Sequence, residues 1–266
     1  PEWPKWSRAA RPTGSRGSEP TSTSEQHPGK SMSMDGLNFF WDRRAIPILP
    51  GGISRDEIAH TLAHNLADCV WNTAALEGNS FTIREVKSLM DGEQVAEHPI
   101  SEVRQIADTA EAYTWLLAQV RTDSLDWDRE TSDHSNGILA RHEALVAGQF
   151  RTSEVSVHLG ARGAYTPPPV GDLEDHYRAG ISALGNIDRP DERALAYFAF
   201  GARAQFYFDG NKRTSRHLMN AILMAAGHHP IVVPVARELE FDEACVSMFA
   251  DADATEIMQF LASCTA

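Results

Sequence analysis

Cysteine is scarce in this 266-residue chain, with Cys69, Cys245 and Cys264 the only three. Odd in number and far apart, they leave no disulfide framework and no zinc spacing, which suits a reducing compartment. No apolar run approaches the ~18 residues that cross a bilayer, and no secretory-signal pattern stands out. A protein without membrane association, located in the cytoplasm, is therefore expected. Basic residues are also short: 24 Lys and Arg face 37 Asp and Glu, for a formal net charge of -13. Such a surface repels a phosphate backbone and argues against general nucleic-acid binding, while leaving room for a local anion site. What is present is ordinary globular material, 42% hydrophobic and 23% charged, enough for a substantial core.

Residues 1–35 hold 7 Ser, 3 Thr, 3 Gly and 5 Pro, with little aliphatic content, and read as a disordered tail. Residues 36–266 read as a single domain. Ser54-Arg55-Asp56-Glu57 is a capping-box sequence, after which Ile58, Leu62, Leu66, Val70 and Thr73 trace one helical face to Glu77. The spacing predicts one helix over about 54–78, stopped at Gly78-Asn79. Thr82-Ile83-Arg84-Glu85 repeats the box and opens a short helix ending before Gly92. Further helices are expected near 101–120, 136–147, 172–185, 191–204 and 213–226. The one strand signal is the alternation of Glu154 through Leu159, followed by Gly160-Ala161-Arg162-Gly163, Ala164-Tyr165-Thr166 and three prolines. It predicts a β-hairpin over about 151–169. An all-α domain carrying one hairpin flap is the expected fold.

The chemistry concentrates in Gln205-Phe206-Tyr207-Phe208-Asp209-Gly210-Asn211-Lys212-Arg213-Thr214-Ser215-Arg216. A tight Asp-Gly-Asn turn leads into a helix whose first N–H groups and partial positive charge attract anions. Gly210 lets backbone approach a ligand, and Lys212, Arg213 and Arg216 add full charges. Arg213 and Arg216, spaced i, i+3, share a helix face and are placed to hold different oxygens of one polyphosphate. Asp209 is a candidate ligand for a hard cation such as Mg2+. An isolated string of this kind would be equally consistent with a solvated surface turn.

This segment resembles the signature of the Fic family, H-x-F-x-[D/E]-G-N-[G/K]-R-x-x-R, at Asp209, Gly210, Asn211, Lys212, Arg213 and Arg216. Residues 151–169 resemble the family's flap, with Arg162, Gly163, Tyr165 and Thr166 as candidate docking residues. Thr73-Ala74-Ala75-Leu76-Glu77-Gly78 resembles the family's [S/T]-x-x-x-E-[G/N] inhibitory helix. The resemblance implies a Fic-type helical domain that transfers AMP from ATP, with Mg2+, to a hydroxyl of a target protein or of the chain itself. A homodimer is left open as the assembly. By the same resemblance Asp209 would hold Mg2+, while Gly210, Asn211 and Arg213 would form the anion hole, Lys212 adding charge beside it. Arg216 would reach the γ-phosphate unless Glu77, with Thr73 and Gly78 in its motif, takes that place.

Two positions depart from the pattern. The family's catalytic histidine falls on Gln205, whose amide has no accessible pKa for taking a hydroxyl proton. Its phenylalanine falls on Tyr207, which needs a hydroxyl partner if buried. Among the other histidines, His142, His158, His176, His217, His228 and His229 are candidates for a replacement base, His217 being nearest in sequence. A weak or inactive transferase is the expected function. A nucleotide-binding pseudoenzyme or interaction module is the alternative, as is a phosphotransferase on the strength of Lys212.

Overall fold

The computed structural model describes residues 36–95 and 97–265, together with the backbone of Met32–Ser33. The remainder of the serine- and proline-rich N-terminal stretch lies outside the described residues. β1 (Met32–Ser33) pairs antiparallel with β2 (Phe40–Trp41). Ten α-helices follow among the described residues: α1 (Arg55–His64), α2 (Leu66–Ala75), α3 (Ile83–Met90), α4 (Ile100–Thr122) and α5 (Arg129–Leu139) come first. A hairpin of β3 (Val157–His158) and β4 (Ala164–Tyr165) interrupts them. Then come α6 (Leu173–Gly185), α7 (Pro190–Ala204), α8 (Asn211–Ala225), α9 (Glu238–Asp251) and α10 (Thr255–Ala262). The fold is all-α with the expected β-hairpin, and it adds the short β1–β2 pair, which the sequence reading does not anticipate.

The helix at the centre is α7. Pro190 opens it at a position where its missing N–H costs nothing, and every residue from Ala194 to Ala204 is buried. Close approach of α8 depends on Gly201, where an added Cβ would lie 2.4 Å from Ser215 Oγ. That hydroxyl in turn donates to Asn211 O at 2.7 Å, so the contact positions the first turn of α8. Leu218, Met219, Ile222 and Leu223 of α8 face the larger core around α7, α9 and α10. Ala221 and Met224 face a second core built from α1 to α4. One helix therefore joins both cores, and its N-terminus is held from two sides.

Local chemistry explains where the elements differ from expectation. The continuous helix over 54–78 is instead two helices broken at Asn65 (φ -98°, ψ 13°). The break rotates the buried face, so that Cys69 with Val70 and Thr73 is buried while Leu66 is only partly so. Ser54 accepts from Glu57 N at 3.2 Å, and the reciprocal capping box forms at Thr82 and Glu85. The helix expected at 136–147 lies at Arg129–Leu139, started by Asp128 accepting from Thr131 N at 2.8 Å. Its buried face carries Ser132, Ser135 and Asn136, polar residues that hide it from a hydrophobic-period reading. The segment 140–148 is a run of turns ending at Gly148 (φ 71°).

The chain before α1 docks on two neighbouring buried carboxylates, Asp191 accepting from Leu49 N at 3.0 Å. Glu192 accepts from Trp41 Nε1 and from Arg43 Nε, each at 2.9 Å. Phe40 also pairs with the α9–α10 turn, donating to Ala252 O at 2.9 Å and accepting from Ala254 N at 2.8 Å. Glu192→Ala leaves the indole N–H of fully buried Trp41 without an acceptor. The expected loss is roughly 1–3 kcal/mol, seen as a lower urea midpoint at unchanged m-value. An unchanged midpoint would mean that this docking is not held by Glu192.

Candidate active site

Gln205 ends α7 in the left-handed conformation (φ 47°, ψ 54°), which turns the chain sharply toward α8. Its amide nitrogen donates to Ala202 O at 2.7 Å and its Oε1 accepts from Asn211 Nδ2 at 3.1 Å. Asn211 closes the loop: its Oδ1 accepts from Tyr207 N at 2.9 Å and its Nδ2 donates to Tyr207 O at 2.8 Å. The side chain of Asn211 is thus spent on the loop itself, and its backbone N–H is the group left for an anion. Gly210 caps α8 at φ 73°, where a Cβ would press on Ala140 Cβ at 3.0 Å and Asn136 Nδ2 at 3.2 Å. No side chain caps the α8 N-terminus and its first turn holds no acid, so its N–H groups keep their attraction for anions.

Tyr207 finds the hydroxyl partners that its burial demands. Its OH donates to Asp133 Oδ1 at 2.8 Å and lies 2.8 Å from Ser132 Oγ. Burial and the Asp133 charge push the phenol pKa well up. Two further residues brace the loop. Asn136 donates to Asp209 O at 2.9 Å and Thr214 Oγ1 at 3.1 Å. Arg151 donates from its backbone to Phe206 O at 2.8 Å and from Nε to Gln205 O at 2.7 Å, and from Nη2 to Pro168 O. Arg151 therefore ties the base of the flap to the loop. Sequence reading used Arg151 only as the flap's first residue and passed over Asn136, since neither sits in a recognisable spacing.

Glu77 reaches this loop from the end of α2. Its Oε1 accepts from Arg216 Nη2 at 3.2 Å, and its Oε2 lies 3.9 Å from Arg213 Nε. Burial works against its charge, but Arg213, Lys212 and Arg216 outweigh burial and hold the carboxyl below the usual range. Neighbouring residues fix its position. Thr73 Oγ1 meets Tyr113 OH at 3.0 Å, and Gly78 takes φ 84°. Asn79 donates to Glu102 O at 3.1 Å and Gln105 Oε1 at 2.9 Å, locking the helix end to α4. Thr73 thus acts from within the core and not from the cleft.

Arg213 is 1% exposed and pairs with a residue that sequence reading missed, Glu143, at 3.0 and 2.5 Å. Burial opposes its charge, but Glu77, Glu143 and Asp209 hold its pKa raised. Asp209 accepts from Gly210 N at 2.6 Å and lies 3.6 Å from Arg213 Nη2. Burial raises its pKa despite that arginine. Lys212 Nζ lies 3.8 Å from Asp242 Oδ1 and 5.7 Å from the centre of the Phe241 ring. These groups line an open cleft of about 1040 Å³, walled by the end of α2, the start of α4, residues 142–145, the flap and α9. That volume accommodates a nucleoside triphosphate.

The flap is shorter than its alternation predicts, with Val157 opposite Tyr165 and His158 opposite Ala164. A 3-10 turn at Gly160–Arg162 makes its tip, and Gly163 takes φ 85°. Arg162 pairs with Asp251 at 2.7 Å, Tyr165 packs against Phe249, and Thr166 is exposed.

Of the described histidines, His142 lines the cleft, and its Nδ1 is 2.7 Å from Asp108 Oδ2. His217 is buried against Ser135 Oγ and the Ala112 carbonyl, each 3.1 Å away, and does not line the cleft. Burial pushes its pKa down to about 4. Below the ordinary value of about 6.5 the unfolded chain binds a proton that folded His217 refuses, so its contribution to stability is lost as pH falls from 6.5 toward 4. An NMR titration should show the His217 ring neutral at pH 5; protonation near 6.5 would contradict the packing.

Residues 130–223 match the model of the Fic/DOC family. The protein adenylyltransferase Fic of Drosophila willistoni is 24% identical over 209 residues, covering 74% of this chain and 39% of the relative. The Drosophila ananassae protein of the same name is again 24% identical, over 207 residues, with 74% and 39% covered. The chain thus spans about two fifths of the length of these curated relatives. A Fic family protein from Desulfovibrio desulfuricans superposes with a TM-score of 0.64 at 19% identity, over 79% of this chain and 69% of that one. Fic-1 from C. elegans gives 0.64 at 20% identity, over 79% and 65%. These superpositions establish the Fic-type helical fold.

Proposed function

We propose that this chain is a Fic-type protein adenylyltransferase that moves AMP from ATP to a hydroxyl side chain of a protein, held back by Glu77 and weakened at Gln205. The observation that carries this reading is the Glu77–Arg216 pair at the uncapped N-terminus of α8, at 3.2 Å. A guanidinium there binds either a carboxylate or a phosphate oxygen, so the pair is a switch between an empty and a charged anion site. The target hydroxyl attacks the α-phosphorus, the bond to the β-phosphate oxygen breaks, pyrophosphate leaves and the hydroxyl proton passes to solvent. The α8 N–H groups with Arg213 and Arg216 stabilise the charge that spreads over the phosphate oxygens. The exposed edge of the flap aligns the target segment by strand-like pairing. The chain works in the cytoplasm.

Asp209 fits a Mg2+ site shared with substrate. Its carboxylate lines the cleft and is 32% exposed, with one oxygen held by Gly210 N–H. No group of three or more His, Cys, Asp or Glu suited to a metal occurs among the described residues. One carboxylate together with phosphate oxygens is a common way of holding this ion, which neutralises phosphate charge when bound.

Gln205 sets the limit on turnover. Both polar ends of its side chain are hydrogen-bonded, and an amide cannot take the hydroxyl proton. Losing a general base typically costs ~10²–10⁴-fold in rate. This same observation favours the second reading, a nucleotide-binding module without transfer. Incubation with ATP labelled at the α- or γ-phosphate separates the readings. The double variant Gln205→His with Glu77→Gly should label protein from the α-position, at least ~10²-fold above the parent. Absence of label from that variant would sink the transferase reading, and γ-label would mean phosphorylation instead.

Glu77 should govern both activity and stability, since its partner Arg216 is only 5% exposed and would lose that carboxylate. Glu77→Gly in the Gln205→His background is expected to raise transfer and to lower Tm, because it leaves the buried Arg216 guanidinium without its carboxylate. Arg216→Ala removes both the inhibitory contact and the γ-phosphate contact, so it should not activate. Activation by Arg216→Ala would show that Arg216 holds no phosphate.

A further inference from the structure

The fork of Arg213 is already filled. Nη1 donates to Glu143 Oε1 and to Leu139 O, both at 3.0 Å, and Nη2 donates to Glu143 Oε2 at 2.5 Å. Two parallel N–H···O bonds to one carboxylate are what a guanidinium also offers to two oxygens of a phosphate. Glu143 is delivered to this place by structure. It lies in the turns after α5, where Gly148 N donates to Asn136 Oδ1 at 2.9 Å, and its Oε1 also accepts from Gln105 Nε2 at 2.9 Å. Arg213 Nε and Arg216 Nη1 are buried donors that no oxygen of the chain satisfies by hydrogen bonding. Both arginines thus keep N–H groups suited to an acceptor the protein does not itself supply.

We propose that Glu143 is a second phosphate-mimicking carboxylate: it occupies Arg213 as Glu77 occupies Arg216, and it sets the affinity of the site for polyphosphates. This rests on the nucleotide-binding reading of the cleft given above. Around the first turn of α8, the cations Lys212, Arg213 and Arg216 face the carboxylates of Glu77, Glu143, Asp209 and Asp242, three cations against four carboxylates. The field that a helix N-terminus and three cations would present is therefore largely cancelled before a ligand arrives. Withdrawal of Glu77 frees Arg216 but leaves Arg213 in the fork of Glu143. Glu143 has room to yield, since its side chain is 30% exposed and hangs from turns, whereas Glu77 is 18% exposed on a helix end locked to α4. A triphosphate that displaces Glu143 into solvent gains the bidentate contact at Arg213.

Calorimetry tests this with two probes, Mg-ATP and inorganic tripolyphosphate, on the parent chain and on Glu143→Gln, Glu77→Gln, their double variant and Arg213→Ala. Glu143→Gln keeps the side-chain volume and removes the charge. It should tighten both probes by about tenfold, the scale of turning a charge-assisted hydrogen bond into a neutral one. Adenosine alone should bind unchanged, and the double variant should bind the two probes tighter than either single one. If Glu143→Gln matches the parent while Arg213→Ala weakens both probes, the phosphate site stands and the role of Glu143 is overturned. If the gain extends equally to adenosine, the effect is a general loosening and the proposal likewise falls. If Arg213→Ala binds as the parent does, or no chain binds either probe, the nucleotide reading and this proposal fall together.

Discussion

Two arginine side chains, Arg213 at 1% and Arg216 at 5% exposure, are buried at the start of α8, and much of the architecture follows from keeping them charged there. A guanidinium removed from water costs several kcal/mol unless oxygen partners replace its hydration. Those partners come from far away in the chain: Glu77 from the end of α2, Glu143 and the Leu139 carbonyl from the end of α5 and the turns beyond it. The N-terminal helices and the segment after α5 are thus bound to the anion site by charge as well as by the apolar contacts of their cores. Removing an arginine would strand carboxylates in a partly dry cleft, and removing a carboxylate would strand an arginine, so the cluster holds together as a unit.

The loop between α7 and α8 meets a different demand, a reversal of direction within six residues with no strand or helix to absorb its backbone groups. Left-handed turns at Gln205 and Gly210 bend the chain, and Asn211 satisfies both the N–H and the carbonyl of Tyr207. Arg151 and Asn136 take up the carbonyls of Gln205 and Asp209. None of these bonds depends on the chemical nature of the Gln205 side chain beyond its one acceptance from Asn211. The loop can therefore keep its shape whether that position carries a base or an amide. Loop shape does not depend on a proton acceptor here, so the proposed anion site is compatible with an amide at Gln205.

Much of this was legible in the sequence, and the limits have physical causes. The Asp209–Arg216 loop and the Glu77 helix could be read because each carries several polar residue types at fixed short spacing. Helices such as α4, α6 and α7 could be read because apolar residues recur along one face. Reading failed where burial is polar: the Ser132, Ser135 and Asn136 face of α5 has no hydrophobic period, so the helix was expected further along the chain. It failed also after Gly227, where α9 and α10 were not expected. Glu143 was invisible for another reason. Nothing in Ala140-Arg141-His142-Glu143 distinguishes a solvated glutamate from one delivered to a buried arginine by the tertiary fold. Pairings set by distant elements are not written in local spacing.

The balance of charge around α8 separates two properties that are easily merged. In the proposed function, affinity for a polyphosphate would depend on the α8 N–H groups, the arginines and whichever carboxylates stand in their way. Turnover would depend on a proton acceptor near Gln205. The carboxylates act on the first quantity and the amide on the second, through atoms that share only the loop. On the proposed function, a chain with Gln205 and both glutamates in place is restrained twice, by competition for its cations and by the lack of a base. Relief of the first restraint changes what the cleft holds; only a change at the second alters how fast a bound nucleotide reacts. The net charge of -13 sharpens this contrast, because an acidic surface repels a triphosphate at long range and leaves capture to the few cations inside the cleft.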